Sequence, residues 1–505
     1  MAQPGARRQF VLLPVRGMRA SSPGVTRAAA NFLTSLTRYV GARVVRPIGD
    51  LPQIELSVVD SVSDDGPKLV EVSPEAAIAL RSSRPGLRLV PLVYYEAAVA
   101  PRVLPQSETL RATVAPTRPF AVRVVSARGN EPLAGCLVVV FTDFQGRRGA
   151  QATTDTGGEA TFHLNHEVSR LDRVYAYPPG PGLWGALKTE VRVAEDLRLE
   201  LEAVDLKRQD ALRYFYGRRR PDGGEGVTVG VVDTGVDLVH TDLSLAGGEN
   251  TVPGESPEDY GPNGEDHGSH VAGIIAARGG ANGLRGVAPG VSLRSYRVFA
   301  TGKSDASNYA IIKAIDRAVG DGCDIINLSL SGGLPDAATR SAIEDARARG
   351  ALCVVAAGND RRGPVGFPAS HPMAVGVSAM GRVGLFPAGA VEAGDVAAPY
   401  GHDPLNFVAD FSNVGPEIDL IGPGVGIVST VPGGYAPMSG TSMACPAVAG
   451  AAALLLSNRR DLLSLSRDQG RSDALAHELF EAARPLGFDL DFEGHGLPDG
   501  YRLRE

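Results

Sequence analysis

The sequence is poor in the residues that mark disulfide-rich and metal-binding proteins. Its 505 residues contain only four cysteines, Cys136, Cys323, Cys353 and Cys445, and none of them forms a CxxC pair. This spacing argues against a zinc knuckle or a dithiol redox motif, and four cysteines are too few for a disulfide scaffold in so long a chain. We therefore expect buried, reduced thiols.

Long apolar runs and strong charge clusters are also missing. No stretch reaches the roughly 18 apolar residues of a membrane span. The first apolar run, FVLLPV (10–15), contains a proline and is shorter than the about 7–15 residues of a secretory signal. The net charge of -7 is spread through the chain, which argues against a nucleic-acid or membrane partner. We expect a cytoplasmic protein, with secretion by a route that the sequence does not show left open.

The pattern of the chain changes several times, as expected for a length that exceeds one hydrophobic core. Residues 1–97 alternate strands and helices in the order β-α-β-β-α-β, with LRLVPLVYYEAA as the closing strand, which is typical of a ferredoxin-like α+β unit. The proline-containing stretch 98–118 reads as a linker. Residues 119–204 carry short strands separated by turns, the pattern of a small β-sandwich. A second linker, 205–226, follows.

The last part of the chain, residues 227–505, has a different pattern. Continuous apolar strands such as VTVGVVD and LCVVAAG alternate with helical stretches, which is typical of a parallel sheet buried on both faces. We therefore predict an α/β domain. Its functional side chains should lie at strand ends and in loops.

Three short segments place chemically active side chains at such positions. They are VVDTGVD (231–237) with Asp233, DHGSHVAGIIA (266–276) with His267, and GTSMACPAVAG (440–450) with Ser442. A serine hydroxyl becomes a good nucleophile when an imidazole removes its proton and a carboxylate orients that imidazole. Taken singly, Asp233 and Ser442 could be helix caps, and His267 with His270 could bind zinc, although no HExxH motif accompanies them.

Together and in this order, the segments closely resemble the signature triplets of the subtilisin-like serine peptidases, or subtilases, over about residues 227–500. The resemblance implies a subtilisin-like parallel-sheet fold and a serine endopeptidase that works through an acyl-enzyme, without a cofactor for catalysis. It assigns Ser442 as nucleophile, His267 as base and Asp233 as the orienting carboxylate. Asn359 in LCVVAAGND (352–360) is implied as a second oxyanion donor.

The resemblance also implies how a polypeptide substrate is bound. Part of INLSLSGG (326–333) would pair with the substrate backbone as an added strand, through Ser329, Leu330, Ser331 and Gly332. GKSD (302–305) would line the opposite side. Ser331 stands where glycine is common, which would narrow one wall of the binding site. Gly366 would lie at the base of the primary pocket and leave room there for a large apolar side chain. Asp360 near the rim would favour a basic one, so the preference is open.

A structural calcium ion is a further expectation from the family. Asp242 and Asn282 offer oxygen ligands around RGGANGLR (278–285). Gly280, however, stands where a ligating amide is usual, and calcium takes 6–8 oxygen ligands. Catalysis itself would need no metal.

The front of the chain resembles known modules in two places. Residues 1–97 resemble the propeptide of subtilases, which implies an autoinhibited precursor whose own N-terminal domain is an intramolecular inhibitor. LVYYEAAVAP (92–101) would be the tail that enters the active site. Within the sandwich, TTDTGGEATF (153–162) resembles carboxypeptidase-regulatory-like domains and implies no chemistry.

Cleavage of this precursor has three open outcomes: it could fall in 98–118, fall in GRRRPDGGEG (217–226), or not occur. The alternative function is a catalytically silent peptidase fold that recruits a partner through its β-sandwich. An exopeptidase would need a blocked cleft, and no clear blocking insertion is present in the sequence.

Overall fold

The computed structural model describes residues 7–48, 51–106, 117–193, 197–217, 220–280, 283–332 and 334–499. Two arginines of the predicted second linker, Arg218 and Arg219, and the predicted calcium ligand Asn282 lie outside these ranges, as do residues 107–116 of the first linker.

The N-terminal unit is an antiparallel sheet with two helices on one face. Its strands are β1 (Arg8–Pro14), β2 (Ala42–Ile48), β3 (Leu51–Ser61), β4 (Lys68–Val72) and β5 (Leu87–Pro91), and its helices are α1 (Arg27–Leu36) and α2 (Pro74–Ser83). The sheet has the order β2-β3-β4-β1-β5. Thr26 and Ser73 cap the two helices by accepting a backbone N–H three residues later.

The end of this unit differs from the sequence prediction. LRLVPLVYYEAA was expected to be one closing strand, but the chain leaves the sheet after Pro91 and forms a separate strand, β6 (Tyr94–Ala97), against the last domain. The predicted order also omitted β4, whose first residue, Lys68, is a buried cation that donates to backbone carbonyl oxygens.

The next unit consists of two packed sheets. Its strands are β7 (Thr117–Ser126), β8 (Leu137–Asp143), β9 (Arg148–Thr153), β10 (Glu159–Asn165), β11 (Arg170–Tyr177), β12 (Ala186–Arg192) and β13 (Leu197–Leu201). The sheets have the orders β10-β7-β13 and β12-β11-β8-β9, and their inner side chains form one apolar cluster. The sequence pattern did not predict β9, RGAQAT, because the segment has a single β-branched residue, Thr153, and no aromatic residue.

The last unit is an α/β domain. Its strands are β14 (Thr228–Asp233), β15 (Leu245–Asn250), β16 (Ser292–Arg297), β17 (Asp305–Ser307), β18 (Ile325–Leu328), β19 (Leu330–Ser331), β20 (Leu352–Ala356), β21 (Val375–Arg382), β22 (Asn406–Val408), β23 (Leu420–Pro423), β24 (Ile427–Val431), β25 (Gly434–Met438), β26 (Ala483–Arg484) and β27 (Leu497–Pro498). Its helices are α3 (Ala211–Tyr216), α4 (His267–Ala276), α5 (Asn308–Gly320), α6 (Ala337–Ala348), α7 (Thr441–Asn458), α8 (Arg460–Leu463), α9 (Gln469–Glu481) and α10 (Leu490–Glu493).

The parallel sheet predicted from the apolar runs is present. It has the order β15-β16-β14-β18-β20-β21-β22, with β23 also paired to β21, and every pair except β21–β22 is parallel. Alternate residues of β18 and β20 point into two different apolar clusters, one with α4 and α7 and the other with α5 and α6. Burial on both faces explains why these strands are apolar throughout.

Helix α7 runs through the larger of these clusters. Among the described residues it is the one helix with the length and mean hydropathy of a membrane-crossing segment, and 94% of it is buried inside the protein. It therefore has the composition of a core helix. Ser442 lies in its first turn, at the carboxyl end of the central strands.

The N-terminal sheet packs its open face on α5 and α6. Apolar side chains on that face, including Val11, Leu13 and Leu69, share a cluster with residues of both helices. An ion pair of 2.8 Å joins Lys313 to Asp60 at the edge of this contact. The docked sheet thus directs the following strand, β6, toward α7.

Candidate active site

Asp233 and His267 form a buried pair at the end of the central strand. Asp233 closes β14 and His267 opens α4, and the His267 Nδ1 lies 2.7 Å from the Asp233 Oδ1. The two residues are 1% and 5% exposed, respectively. Asp233 Oδ1 also accepts the Thr234 N–H, and Thr234 Oγ1 accepts the Gly268 N–H. These bonds orient the imidazole so that Nδ1–H faces the carboxylate and Nε2 is left without a partner.

Ser442 lies in the same buried region, with its hydroxyl in a resting position. Its Oγ donates to the Ser329 carbonyl oxygen at 2.9 Å, and the Ser329 Oγ donates back to the Ser442 carbonyl oxygen at 3.0 Å. Its backbone N–H, at the start of α7, donates to the Ala98 carbonyl oxygen at 3.0 Å. For attack, the Oγ has to leave the Ser329 carbonyl and turn to the free Nε2 of His267.

Asn359 has the orientation that an oxyanion donor needs. Its Oδ1 accepts from the Thr441 N–H at 2.9 Å and from the Thr441 Oγ1 at 3.1 Å, so its Nδ2 is left buried and without a partner. The Thr441 Oγ1 also accepts the Gly358 N–H. Thr441 is therefore a positioning residue that the sequence analysis did not identify, although it stands directly before the nucleophile in GTSMACPAVAG.

The predicted substrate-binding strand is occupied by the chain itself. Strand β6 lies between β17 and β19 in a three-stranded antiparallel sheet, with Leu330 opposite Ala97 and Ser331 opposite Glu96. The Ser329 carbonyl oxygen accepts the Ala98 N–H at 3.1 Å. Gly332 lies beside the Glu96 backbone and donates its own N–H to Phe367. The opposite strand, β17, begins only at Asp305, the last residue of the predicted GKSD segment.

The Ser331 side chain lies close to Gly366, which was predicted at the base of the primary pocket, and to Gly358. A Cβ added to Gly366 would lie 2.2 Å from the Ser331 Oγ, and one added to Gly358 would lie 2.9 Å from it. The Ser331 hydroxyl thus lies between the two glycines, buried and without a hydrogen-bond partner. The Asp360 carboxylate is engaged by Asn413, which donates to it at 2.8 Å.

The structure does not favour a cation at Asp242. Its carboxylate accepts the backbone N–H groups of Gly280 and Leu284 and the hydroxyl of Tyr435 at 2.8–3.1 Å. These three donors use the carboxylate oxygens that calcium would require. Burial next to Asp242 raises the pKa of Tyr435 to about 12, so the tyrosine keeps the proton that it donates to Asp242. Among the residues that the structure describes, no three His, Cys, Asp or Glu side chains are grouped to hold a metal ion.

His270 has a structural role. It is fully buried, and its Nε2 lies 2.9 Å from the Ile427 carbonyl oxygen and 3.0 Å from that of Ala436. Burial lowers the pKa of His270 to about 3, so the ring is neutral and donates from Nε2. It ties α4 to β24 and β25 and does not share a ligand position with His267.

Comparison with known proteins identifies relatives for the α/β domain. The family model described as the Subtilase family matches residues 224–492. The chain is 38% identical to Subtilisin DY of Bacillus licheniformis over 261 residues, which is 51% of this chain and 85% of that protein. It is 39% identical to Subtilisin NAT of Bacillus subtilis subsp. natto over 239 residues, which is 46% of this chain and 56% of that protein. Subtilisin Savinase of Lederbergia lenta is 39% identical over 234 residues, 46% of this chain and 77% of that protein.

Proposed function

Since the chain belongs to the subtilase family of serine-type endopeptidases, we propose that it is an autoinhibited endopeptidase that cuts its own chain between Ala98 and Val99. Residues 1–98 would inhibit the enzyme in the intact chain and afterwards as a bound fragment. This hypothesis narrows the cleavage sites left open by the sequence to the first residues of the 98–118 linker.

One observation carries the proposal: the Ala98 carbonyl oxygen contacts one of the two predicted oxyanion donors, the Ser442 N–H, while the other donor, the Asn359 Nδ2, has no partner. The Ala98 oxygen accepts the Ser442 N–H at 3.0 Å, and the Ala98 N–H donates to Ser329. On the other side of the peptide bond, the Ala100 N–H donates to the Ser439 carbonyl oxygen at 2.8 Å. Hydrogen bonds on both sides thus align the Ala98–Val99 bond with the nucleophile.

The proposed reaction follows from this geometry. Ser442 Oγ attacks the Ala98 carbonyl carbon while His267 Nε2 takes its proton, and Asp233 stabilises the imidazolium. The oxyanion that forms receives hydrogen bonds from the Ser442 N–H and the Asn359 Nδ2. The bond to the Val99 nitrogen then breaks, and that nitrogen takes the proton from His267. Water hydrolyses the resulting Ala98 ester, with His267 again acting as the base.

The contacts of the N-terminal unit support inhibition. Its sheet covers α5 and α6. Its order β1-α1-β3-β4-α2-β5, with β2 as an added edge strand, supports the proposal of a ferredoxin-like inhibitory unit. Tyr95 is completely buried and donates its hydroxyl to Asp336 at 2.6 Å. A substrate could enter only after β6 has left the sheet between β17 and β19.

The occupied pocket supports a preference for small residues before the scissile bond. Ser331 fills the space between Gly358 and Gly366, and the residue bound there in the intact chain is alanine. A large apolar side chain, for which Gly366 alone would leave room, has to displace the Ser331 hydroxyl. We therefore place Ala or a residue of similar size at this position of good substrates.

The test is self-cleavage of the purified full-length chain. Wild type, Ser442→Ala and the control Ser466→Ala, which changes an exposed serine outside the site, are incubated, and their intact masses are followed. We expect fragments 1–98 and 99–505 from the wild type and the control only. A wild-type chain that stays intact, or that is cut only elsewhere, contradicts the proposal and favours the catalytically silent binding protein.

A further inference from the structure

A cavity begins at His267 and continues beyond the scissile bond. It has a volume of about 590 Å³ and is lined on one side by the α/β domain, including His267, Glu392 and Ser439, and on the other by the β-sandwich, including Tyr175 and Tyr177. We call it the primed cavity, because the residues after the scissile bond, Val99–Val103, form part of its lining. The sandwich therefore forms a wall of the active-site cleft.

The segment Val99–Val103 is held by the sandwich through specific contacts. The Val103 N–H donates to the Tyr177 hydroxyl oxygen at 3.1 Å, and the Arg102 guanidinium lies 5.4 Å from the centre of the Tyr177 ring. The Val103 side chain packs on an aromatic cluster that includes Phe141 and Tyr175. Three residues later, the Gln106 N–H donates to the Arg147 carbonyl oxygen at 3.0 Å.

This wall is joined firmly to the domain that carries Ser442. The Leu187 N–H donates to Gly389 at 2.7 Å, the Gly182 N–H to Tyr435 at 2.8 Å, and the Val391 N–H to Gly185 at 3.1 Å. Trp184, the only tryptophan of the chain, is 4% exposed and packs within the core of the α/β domain. The sandwich thus contributes a fixed surface to the cleft.

We propose that the β-sandwich forms the primed-side substrate-binding site and keeps Val99–Val103 there after self-cleavage. The site takes an extended peptide segment with a basic residue four positions, and an aliphatic residue five positions, after the scissile bond. These positions correspond to Arg102 on the Tyr177 ring and Val103 on the aromatic cluster. The inference rests on the proposed cleavage between Ala98 and Val99.

Retention of this segment has a kinetic consequence. After cleavage, Val99–Val103 is still covalently joined to the sandwich, so its effective concentration at the primed cavity is of the order of millimolar. Dissociation of fragment 1–98 would then open only the half of the cleft before the scissile bond. A peptide that occupies both halves has to displace the tethered segment, whereas a short substrate with a small leaving group does not.

The experiment compares these two kinds of substrate on self-cleaved enzyme freed of fragment 1–98. Both carry Tyr-Glu-Ala-Ala before the scissile bond; one ends in an aminocoumarin, and the other is an end-blocked peptide that continues with Val-Ala-Pro-Arg-Val. The variant is Arg102→Ala with Val103→Ala. Both side chains are partly or largely exposed, so the fold is retained. Arg128→Ala, which removes an exposed arginine elsewhere on the sandwich, is the control.

We expect KM for the long peptide to fall about tenfold in the double variant and to stay unchanged in the control. KM for the aminocoumarin substrate should be the same in all three enzymes. Adding the free peptide Val-Ala-Pro-Arg-Val-Leu-Pro-Gln should then inhibit cleavage of the long peptide. An unchanged KM for the long peptide, or an equal change for both substrates, overturns the inference. Absence of fragment 1–98 overturns the proposed self-cleavage instead, and the inference with it.

Discussion

Removal of a single hydroxyl group, by Tyr95→Phe, should weaken the hold of fragment 1–98 on the cleaved enzyme. The Tyr95 side chain is completely buried, and its hydroxyl donates to the Asp336 Oδ2 at 2.6 Å. The other carboxylate oxygen, Oδ1, accepts the N–H groups of Ala338 and Thr339 at the start of α6. Burial and the nearby Asp336 raise the pKa of Tyr95 well above its ordinary value, so the hydroxyl donates throughout the usual pH range.

The size of the effect follows from the kind of hydrogen bond that is lost. A hydrogen bond to a charged group contributes about 1.5–3 kcal/mol, and the variant also leaves a buried carboxylate oxygen without its donor. Because about 1.4 kcal/mol corresponds to a tenfold change in affinity, fragment 1–98 should bind about 10–100 times more weakly. Most of such a change usually falls on the dissociation rate.

The assay follows the recovery of activity after self-cleavage, with an end-blocked fluorogenic peptide as substrate and native mass spectrometry as a direct measure of fragment release. Tyr94→Phe is the matched control, because it makes the same chemical change one residue earlier, in a side chain that is 52% exposed. We expect release of fragment 1–98 to be about 10–100 times faster in Tyr95→Phe only. Equal release rates for the two variants would refute the reasoning.

Four further predictions concern the catalytic domain. Asn359→Ala should lower kcat about 10²–10³-fold, the loss known for this donor in subtilisin itself, with KM nearly unchanged; an equal loss through KM would contradict the oxyanion role. Ser331→Gly should change the substrate preference before the scissile bond. The ratio of kcat/KM for peptides with Phe or Leu there to kcat/KM for peptides with Ala should rise at least about tenfold, since burial of such a side chain is worth about 1.5–3 kcal/mol. An unaltered ratio would show that Ser331 does not limit the pocket. Burial raises the pKa of Glu392 from 4.5 to about 8. Between pH 4.5 and pH 8, Glu392 is therefore protonated in the folded chain and ionised in the unfolded chain. The free energy of unfolding should fall as pH rises through this range. We compare the free energy of unfolding of Ser442→Ala with that of Ser442→Ala carrying Glu392→Gln. The Glu392→Gln protein should be the more stable of the two by a margin that grows from pH 5 to pH 8, by roughly 1 kcal/mol for each pH unit. An equal margin at both pH values would count against the prediction. Chelation with EDTA should leave Tm unchanged, because protein donors use the Asp242 carboxylate; a fall in Tm that calcium reverses would show the opposite.

The sequence was most informative where chemistry and strand order restrict the choice of residue. Asp233, His267 and Asn359 each adjoin the carboxyl end of a parallel strand or the start of a helix, and the parallel sheet places those ends along one edge. Local pattern therefore predicted the α/β domain and the residues that gather at its edge. Thr441 was missed because its role depends on an acceptor, Asn359, that lies 82 residues away in the chain.

Other features depend on contacts between units that no local pattern reveals. The family resemblance implied that LVYYEAAVAP (92–101) enters the active site. The local pattern of LRLVPLVYYEAA, by itself, does not distinguish the half that stays in the N-terminal sheet from the half that pairs with β17 and β19. That division is set by the available strand edges of the α/β domain. The same holds for Tyr177, which reads as an ordinary sandwich aromatic until Val103 and Arg102 are placed against it. The calcium expectation came from the family resemblance; three local donors to Asp242 count against a cation there, and the other predicted ligand, Asn282, lies outside the described residues.

The position of β6 between β17 and β19 also bears on how the enzyme is synthesised. A ribosome that adds about 5–20 residues per second takes roughly 20–70 s to translate the 344 residues from Val99 to Ser442. Strand β6 has therefore left the ribosome long before the nucleophile exists. Under the proposed autoinhibition, the cleft is assembled with β6 already present, so the newly made chain is inactive during translation. The delay before activity would then be set by release of fragment 1–98 and not by synthesis.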